Sequence, residues 1–383
     1  MIQSIIIQNF KSLRNVSVDL APLTVLIGRS GTGKSNFVQA IRFLRDFLND
    51  GSVNKPDGWG PMTCATAPTG DKDIEIRLHF DVPQFASEEF GYGIRFRFHN
   101  PGNPYQLSME WLQFGNQRVF EVQTGKWTRV PPISNPPPIG DQAVLGRIHG
   151  LQEVKVAHLA LTKGIGCHDF PGNVLQDGRF DLSKGTALDD TGANYLAAFD
   201  AVVNELSELE SVKEIIASLR KLNGSLTSVQ LSQDRSSIIV GHRMATGEVL
   251  SFPLRQESEG MRRFLAHLLA LYQQPPRQVL VFEEPEKGIY PGALTVLADC
   301  FRVAAEKRDT QILLTTHSPE FLRHFGPDEI RVVEMINGES RIGPLAPDQQ
   351  ESLRDHLLTA DELLTVVEAR GGAQPVTEAE AGA

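Results

Sequence analysis

The spacing of apolar residues divides the chain into stretches of different period. Ile2, Ile5, Ile6 and Ile7 form a β-branched run that predicts a strand, and residues 16–20 and 23–27 predict two more. From Lys34 the spacing turns helical. Phe37, Ile41, Phe43, Leu44, Phe47 and Leu48 share one face until Asn49-Asp50-Gly51 stops it. Between residues 73 and 123 apolar and polar positions alternate, as in Ile74-Glu75-Ile76-Arg77-Leu78 and Ile94-Arg95-Phe96-Arg97-Phe98, which predicts an antiparallel meander. Its aromatics are expected inward and its arginines in solvent. Pro131-Pro132 and Pro136-Pro137-Pro138 then mark an extended linker. Residues 195–222 carry helical periodicity with many charged positions. In the final third, strands at 279–282, 312–316 and 330–333 alternate with a helix after Pro291, which implies a parallel sheet with crossover helices. The Gly/Ala/Glu-rich tail after Gly371 is expected to be disordered.

At 383 residues with 41% hydrophobic content, the chain fills a core without staples. A formal charge of -10 disfavours broad attraction to nucleic acid, although a local basic patch remains open. The cysteines at 64, 167 and 300 form no CxxC pair, which fits a reducing compartment, and Cys167-His168 reads as a buried thiol beside a loop histidine. The opening residues lack a basic region followed by an apolar stretch, and no segment is long enough to span a bilayer. The expected location is cytoplasmic, with no membrane partner.

Gly28-Arg29-Ser30-Gly31-Thr32-Gly33-Lys34-Ser35 follows a predicted strand and opens a predicted helix, the setting that a phosphate-binding loop requires. Backbone amides there surround phosphates, Lys34 adds a point charge, and the Ser35 hydroxyl suits magnesium. Gly31 and Gly33 let the backbone approach without Cβ clashes. A second constellation is the apolar run Leu280-Val281-Phe282 ending in Glu283-Glu284-Pro285-Glu286, acids that a buried strand does not need. Glu283 is assigned to the metal and Glu284 to the attacking water. A third strand ends in Thr315-Thr316-His317-Ser318-Pro319, where Thr316 or His317 can reach a phosphate from an adjacent strand, the histidine donating to the phosphate or to a water. The fourth, Glu257-Ser258-Glu259-Gly260-Met261-Arg262-Arg263, reads as a polar helix N-terminus able to bind an anion.

Together with Ile6-Ile7-Gln8-Asn9-Phe10-Lys11-Ser12-Leu13, these four motifs in this order resemble the ABC-type ATPase head of the RecF, SMC and OLD group, in its small AAA-like members. The resemblance covers the first fifty residues and the last third. It implies an α/β P-loop NTPase fold with a mixed sheet, an inserted antiparallel meander and a helical subdomain. It further implies ATP and Mg2+ as cofactors and ATP hydrolysis as the reaction. Residues 28–36 and Lys11 lie at the nucleotide, Asn36 included. Lys34, Glu284 as base and His317 as switch histidine serve catalysis, while Ser35 and Glu283 serve the metal. Ser258, Gly260 and Arg263 match the signature that contacts ATP held by a second subunit, so a head-to-tail homodimer is implied.

The organisation expected from this resemblance places the P-loop part of the ATPase lobe at 1–50, and the β insertion with its linker at 51–150. A helical/β subdomain follows at 151–255, then the signature, acidic strand and switch histidine at 256–345. A C-terminal helix at 346–370 and the tail at 371–383 complete it.

The chain departs from the family pattern in two places. Glu283 stands where aspartate is usual, and Tyr290 stands before Pro291 where histidine is common. No long coiled-coil arm and no Toprim-like segment after His317 is visible, so no intrinsic nuclease is expected. Asn54-Lys55-Pro56-Asp57 matches the guanine motif of GTPases, but it follows the first helix almost at once, whereas base recognition needs the end of a later strand. The expected role is an ATP-gated dimer controlling a separately encoded effector in genome maintenance or phage defence. The alternatives are a DNA-stimulated repair ATPase and, behind it, a GTPase.

Overall fold

A computed structural model describes residues 1–50, 73–85, 87–98, 105–140, 142–176, 180–204 and 209–372. In chain order the elements are β1 (Ile2–Phe10), β2 (Leu13–Asp19), β3 (Leu23–Ile27), α1 (Lys34–Asp50), β4 (Ile74–Phe80), β5 (Phe90–Phe98), β6 (Tyr105–Phe114), β7 (Gln117–Gln123) and β8 (Lys126–Arg129). There follow α2 (Gln152–Thr162), β9 (Ile165–His168), α3 (Tyr195–Asn204), α4 (Leu209–Leu222), β10 (Leu226–Leu231), β11 (Ile238–Arg243), β12 (Val249–Pro253) and α5 (Glu259–Tyr272). The chain ends through β13 (Val279–Glu283), α6 (Leu294–Lys307), β14 (Gln311–Thr315), α7 (Pro319–Leu322), β15 (Ile330–Ile336), β16 (Glu339–Pro344), α8 (Pro347–Arg354) and α9 (Glu362–Thr365). They form two compact units, one of residues 1–165, 327–358 and 367–383, the other of residues 166–326 and 359–366. The Asn54-Lys55-Pro56-Asp57 motif, Cys64 and the tail beyond residue 372 lie outside the described residues.

In the first unit the alternating stretch forms an antiparallel sheet in the order β2-β1-β4-β5-β6-β7-β8. The meander is therefore continued by the first hairpin of the chain, a join that alternation alone does not reveal. The helical face of α1 covers this sheet. Phe96 of β5 lies 5.2 Å from Phe43 and 4.7 Å from Phe47, and Phe10 of β1 lies 5.7 Å from Phe43. Each of these fully withdrawn rings contributes about 2 kcal/mol through burial. β3 pairs parallel with β15, which pairs antiparallel with β16, so this layer is mixed.

The opposite face of the meander corrects the expectation that its charges stand in solvent. Glu75 and Arg77 are buried and paired, and Arg95 reaches Glu75 at 2.7 Å. The cause lies in neighbouring strands. β4 is interior to the sheet, and Gly93 carries no side chain opposite Trp111; a Cβ there would fall 2.4 Å from the indole. Trp111 can therefore settle over β5 with the Arg118 guanidinium stacked 3.9 Å from its ring centre.

The segment after the proline-rich linker is tied to the sheet by one buried acid. Glu110 accepts from the Val144 and Leu145 amides at 2.7 and 3.0 Å and from the Tyr92 hydroxyl at 3.0 Å. Burial outweighs these donors and pushes its pKa up to about 7.

In the second unit β13 and β14 run parallel with Glu283 opposite Thr315, and β10, β11 and β12 form a separate antiparallel sheet. Phe282 packs 5.0 Å from Phe301 and 5.4 Å from the His267 ring. Burial drives the His267 pKa down to about 3, so this ring is a neutral core aromatic. The periodic stretch at 195–222 forms two helices, α3 and α4. Among the described residues Cys167 is a buried cysteine outside any disulfide, no group of metal-ligating side chains occurs, and no helix is long and apolar enough to cross a membrane.

Glu110 generates a prediction with a definite sign. Its folded pKa lies above the unfolded value, so its contribution to stability is complete below about pH 4.5 and is lost as pH rises to about 7. Denaturant titrations of the wild type across that range should lose a few kcal/mol from this source, and Glu110→Gln should flatten the slope. Equal slopes in both proteins would refute the assignment.

Candidate functional site

In the first unit the phosphate-loop motif joins β3, whose five residues are buried, to α1. Its glycines are required for different reasons. Gly28 has φ +150° and leaves no room, because a Cβ would stand 2.2 Å from the Val333 carbonyl oxygen. Gly33 has φ +108°, and a Cβ would meet Ser340 Oγ at 2.1 Å and Ser12 Oγ at 2.8 Å. Gly31, at φ +79°, has open space around it and is needed for its backbone alone. Thr32 Oγ1 donates to the Arg29 carbonyl at 2.9 Å and closes the loop on itself.

Lys34 is buried, and its ammonium donates to the carbonyls of Gly28 at 2.8 Å and Arg29 at 3.0 Å. It thereby sits at the centre of the loop as a fixed positive charge. Arg29, Ser30 and Ser35 are exposed. Lys11, in a left-handed conformation at φ 52°, donates to Gln39 of α1. Asn36, read as a nucleotide contact, turns its amide to Ser12 Oγ at 2.7 Å.

That bond belongs to a brace the motif does not announce. Ser340 Oγ on β16 donates to the Thr32 carbonyl at 2.6 Å and lies 2.6 Å from Ser12 Oγ, while the Ser340 amide donates to the Ser12 carbonyl at 2.8 Å. Ser12 was visible only as part of the opening motif. Ser340 sits in an ordinary hairpin strand, and the only hint of its position is the demand for glycine at 33. At the rim of the loop, Arg29 pairs with Glu368 at 3.2 Å.

In the second unit the acids follow β13 as a tight turn. Glu284 occupies the left-handed region at φ 46°, which a side chain with a Cβ adopts only at a cost of about 1–2 kcal/mol. Its amide donates to the Thr315 carbonyl at 3.0 Å and to Thr315 Oγ1 at 3.2 Å, which holds it there. Its carboxylate lies 2.7 Å from Lys287 Nζ and 3.6 Å from His317 Nε2. The bond to Glu284 raises the Lys287 pKa, so this ammonium stays charged. Glu283 closes the strand, and both it and Glu284 are partly exposed. The sequence-assigned base and switch histidine therefore lie together.

Glu286 had no assigned role, yet its carboxyl is engaged with the residues that follow β14. Thr316 Oγ1 donates to its Oε1 at 2.5 Å and the His317 amide at 3.2 Å. Burial raises its pKa above the usual carboxylate range.

Ser258 caps α5 by accepting from the Met261 amide at 3.2 Å. Gly260 lies against the turn after the acids, where a Cβ would approach the Gly288 carbonyl to 2.9 Å. Arg263, expected to face a second subunit, is turned inward, because Glu259 and the Phe170 carbonyl take its donors at 2.9 and 2.7 Å. Arg262 is buried and donates to the carbonyls of Gly172, Val174 and Glu257. These two arginines hold the signature turn on its own unit. Tyr290, 77% exposed, stands on the surface beyond that turn.

Residues 23–323 match the protein family described as "AAA domain, putative AbiEii toxin, Type IV TA system". The chain is 22% identical over 360 residues to endonuclease GajA of Bacillus cereus, covering 88% of this chain and 58% of that protein. It is 20% identical over 382 residues to the OLD nuclease of Thermus scotoductus, covering 93% of this chain and 66% of that protein. The chain thus spans about three fifths to two thirds of the length of these curated relatives. A solved SMC head bound to the C-terminal winged-helix domain of ScpA superposes with a TM-score of 0.58 at 15% identity, covering 92% of this chain and 99% of the head. The fold is that of an ABC-type ATPase head.

The two loop glycines separate steric crowding from backbone strain. Gly28→Ala should destabilise the protein by at least about 2 kcal/mol more than Gly31→Ala, which meets only the left-handed penalty of about 1–2 kcal/mol. Urea denaturation of both variants measures this, and equal losses would contradict the packing described.

Proposed function

The chain belongs to this AAA-domain family and is an ATPase, and on that premise we propose that it works as an ATP-gated head-to-tail dimer. Each turnover would control a partner effector or a transaction on DNA. Residues 28–36 bind the phosphates, with Lys34 as the fixed positive charge and Lys11 at the flank. Ser258 and Gly260 of a second copy complete the site from the other side of the nucleotide. Arg263 supports that signature from within its own subunit, as its bonds to Glu259 and the Phe170 carbonyl suggest.

The observation that carries the reading is the posture of Glu284. A non-glycine residue held at φ 46° beyond a buried strand, with its carboxylate 3.6 Å from an exposed histidine, is strain retained where chemistry uses it. Glu284 accepts the proton of the attacking water, and His317 donates toward the developing charge on the γ-phosphate. Lys287 Nζ holds the Glu284 carboxylate at 2.7 Å until water replaces it as the nearest donor. Ser35 and Glu283 offer hard oxygen donors of the kind Mg2+ prefers, and the ion would neutralise phosphate charge when bound.

Two relatives with nuclease names favour a nucleic-acid setting for the switch, in genome maintenance or phage defence. The ScpA domain bound to the SMC head favours a protein effector as the immediate partner. A DNA-stimulated ATPase is the second reading, supported by those nuclease names. Measuring ATPase rates with duplex DNA, single strands and candidate proteins distinguishes the two.

The chemistry is tested by two variants. Lys34→Ala should weaken ATP binding by roughly 10–100-fold. Glu284→Gln should bind ATP normally while turnover falls roughly 10²–10⁴-fold and ATP-bound dimer accumulates. Binding by equilibrium titration and phosphate release check both, and a Glu284→Gln protein that hydrolyses ATP at the normal rate would sink the assignment.

A further inference from the structure

We propose that Glu286 is a positioning residue for this turnover, fixing the turn from which His317 projects and so setting the approach of His317 to Glu284. The proposal rests on the reading of Glu284 and His317 given above. Its basis is an acid that a strand end does not need and that solvation does not explain. An acid that merely solvates the end of β13 would keep both oxygens in water. Glu286 instead buries Oε2 with no hydrogen-bond partner, an arrangement that costs free energy.

The other oxygen, Oε1, is spent on the end of β14. It takes the hydroxyl of Thr316, which is fully buried, at 2.5 Å and the backbone amide of His317 at 3.2 Å. The Thr316 hydroxyl in turn accepts from the Ser318 amide at 3.0 Å, and Ser318 Oγ accepts from the Phe321 amide at 3.2 Å as the cap of α7. On its own side, the Glu286 carbonyl accepts from the Ile289 amide at 3.1 Å. One carboxyl thus locks the acidic turn to the backbone on both sides of His317. The imidazole stays exposed beside Glu284 while its main chain is held. Loss of the carboxyl would leave Glu284 and His317 in place chemically and loosen the distance between them.

Three variants test this, with kcat, KM for ATP, ADP affinity and thermal melting measured on each. Glu286→Ala should lower kcat by roughly tenfold or more while ADP affinity stays within about twofold. Glu286→Gln should recover to within about threefold of wild type, because an amide oxygen accepts the same two bonds. Adding Thr316→Val to Glu286→Ala should cost little further, since both act through one network. The proposal is overturned if Glu286→Gln is as slow as Glu286→Ala, which would give the negative charge a direct role, or if kcat and ADP affinity fall together. Normal kcat in Glu286→Ala overturns it as well. Should Glu286→Ala fail to fold, Thr316→Val decides: a slower kcat at unchanged ADP affinity supports the proposal, and a normal kcat contradicts it. Full activity in Glu284→Gln beside a slow Glu286→Ala would retire the base assignment and leave the positioning role standing.

Discussion

Close approach of the Val333 backbone to Gly28, and of the Ser340 and Ser12 side chains to Gly33, is the constraint on which the first unit is built. A phosphate-binding loop must present amides and a lysine in a fixed concave arc, and a short glycine-rich segment has too much conformational freedom to hold that arc alone. Here the arc is gripped from behind by the Val333 carbonyl, by Ser340 and by Ser12, contributed by β15, β16 and the β1–β2 turn. Those elements are remote from the loop in sequence. Their hairpins therefore serve to shape the loop as much as to extend sheets. The apolar face of α1, buried against Phe10 and Phe96, fixes the other end.

The second unit treats its carboxyl groups by environment. Glu284 is strained, partly exposed and paired with Lys287, a posture that leaves its carboxylate accessible. Glu286, two residues on, is withdrawn and given backbone donors, a state that suits holding a turn. Glu110 in the first unit is a third case, fully buried among two amides and a phenol with no part in the chemistry. Three glutamates thus perform three tasks, and the difference lies in desolvation and donors rather than in residue type.

Much of this was legible in the residues alone. The strand before Gly28, the helix after Lys34, the meander period and the apolar strand ending at Glu283 each follow from spacing and turn chemistry, because each is a local decision. The tertiary decisions were not legible. Nothing in the alternation of Glu75 and Arg77 says that Trp111 and Arg95 will cover them, since the covering residues come from other strands. Ser340 looks like any hairpin serine until Gly33 is seen against it. Arg263 matched a family position, yet its inward turn depends on the Phe170 carbonyl, which no motif encodes. Glu286 was read as one more acid at a strand end because its distinguishing partners, Thr316 and the His317 amide, lie on the next strand's exit.

Service of each nucleotide by two subunits is tested directly by mixing two defective proteins. One carries Lys34→Ala and keeps its signature; the other carries Ser258→Arg and keeps its phosphate loop. Each should be inactive alone. In a mixed head-to-tail dimer one site combines the intact loop of one protomer with the intact signature of the other. The ATPase rate of an equimolar mixture should therefore rise to roughly a quarter of the wild-type rate, from statistical pairing with one working site of two. A mixture no more active than its components would show that the signature and the loop do not meet across a dimer.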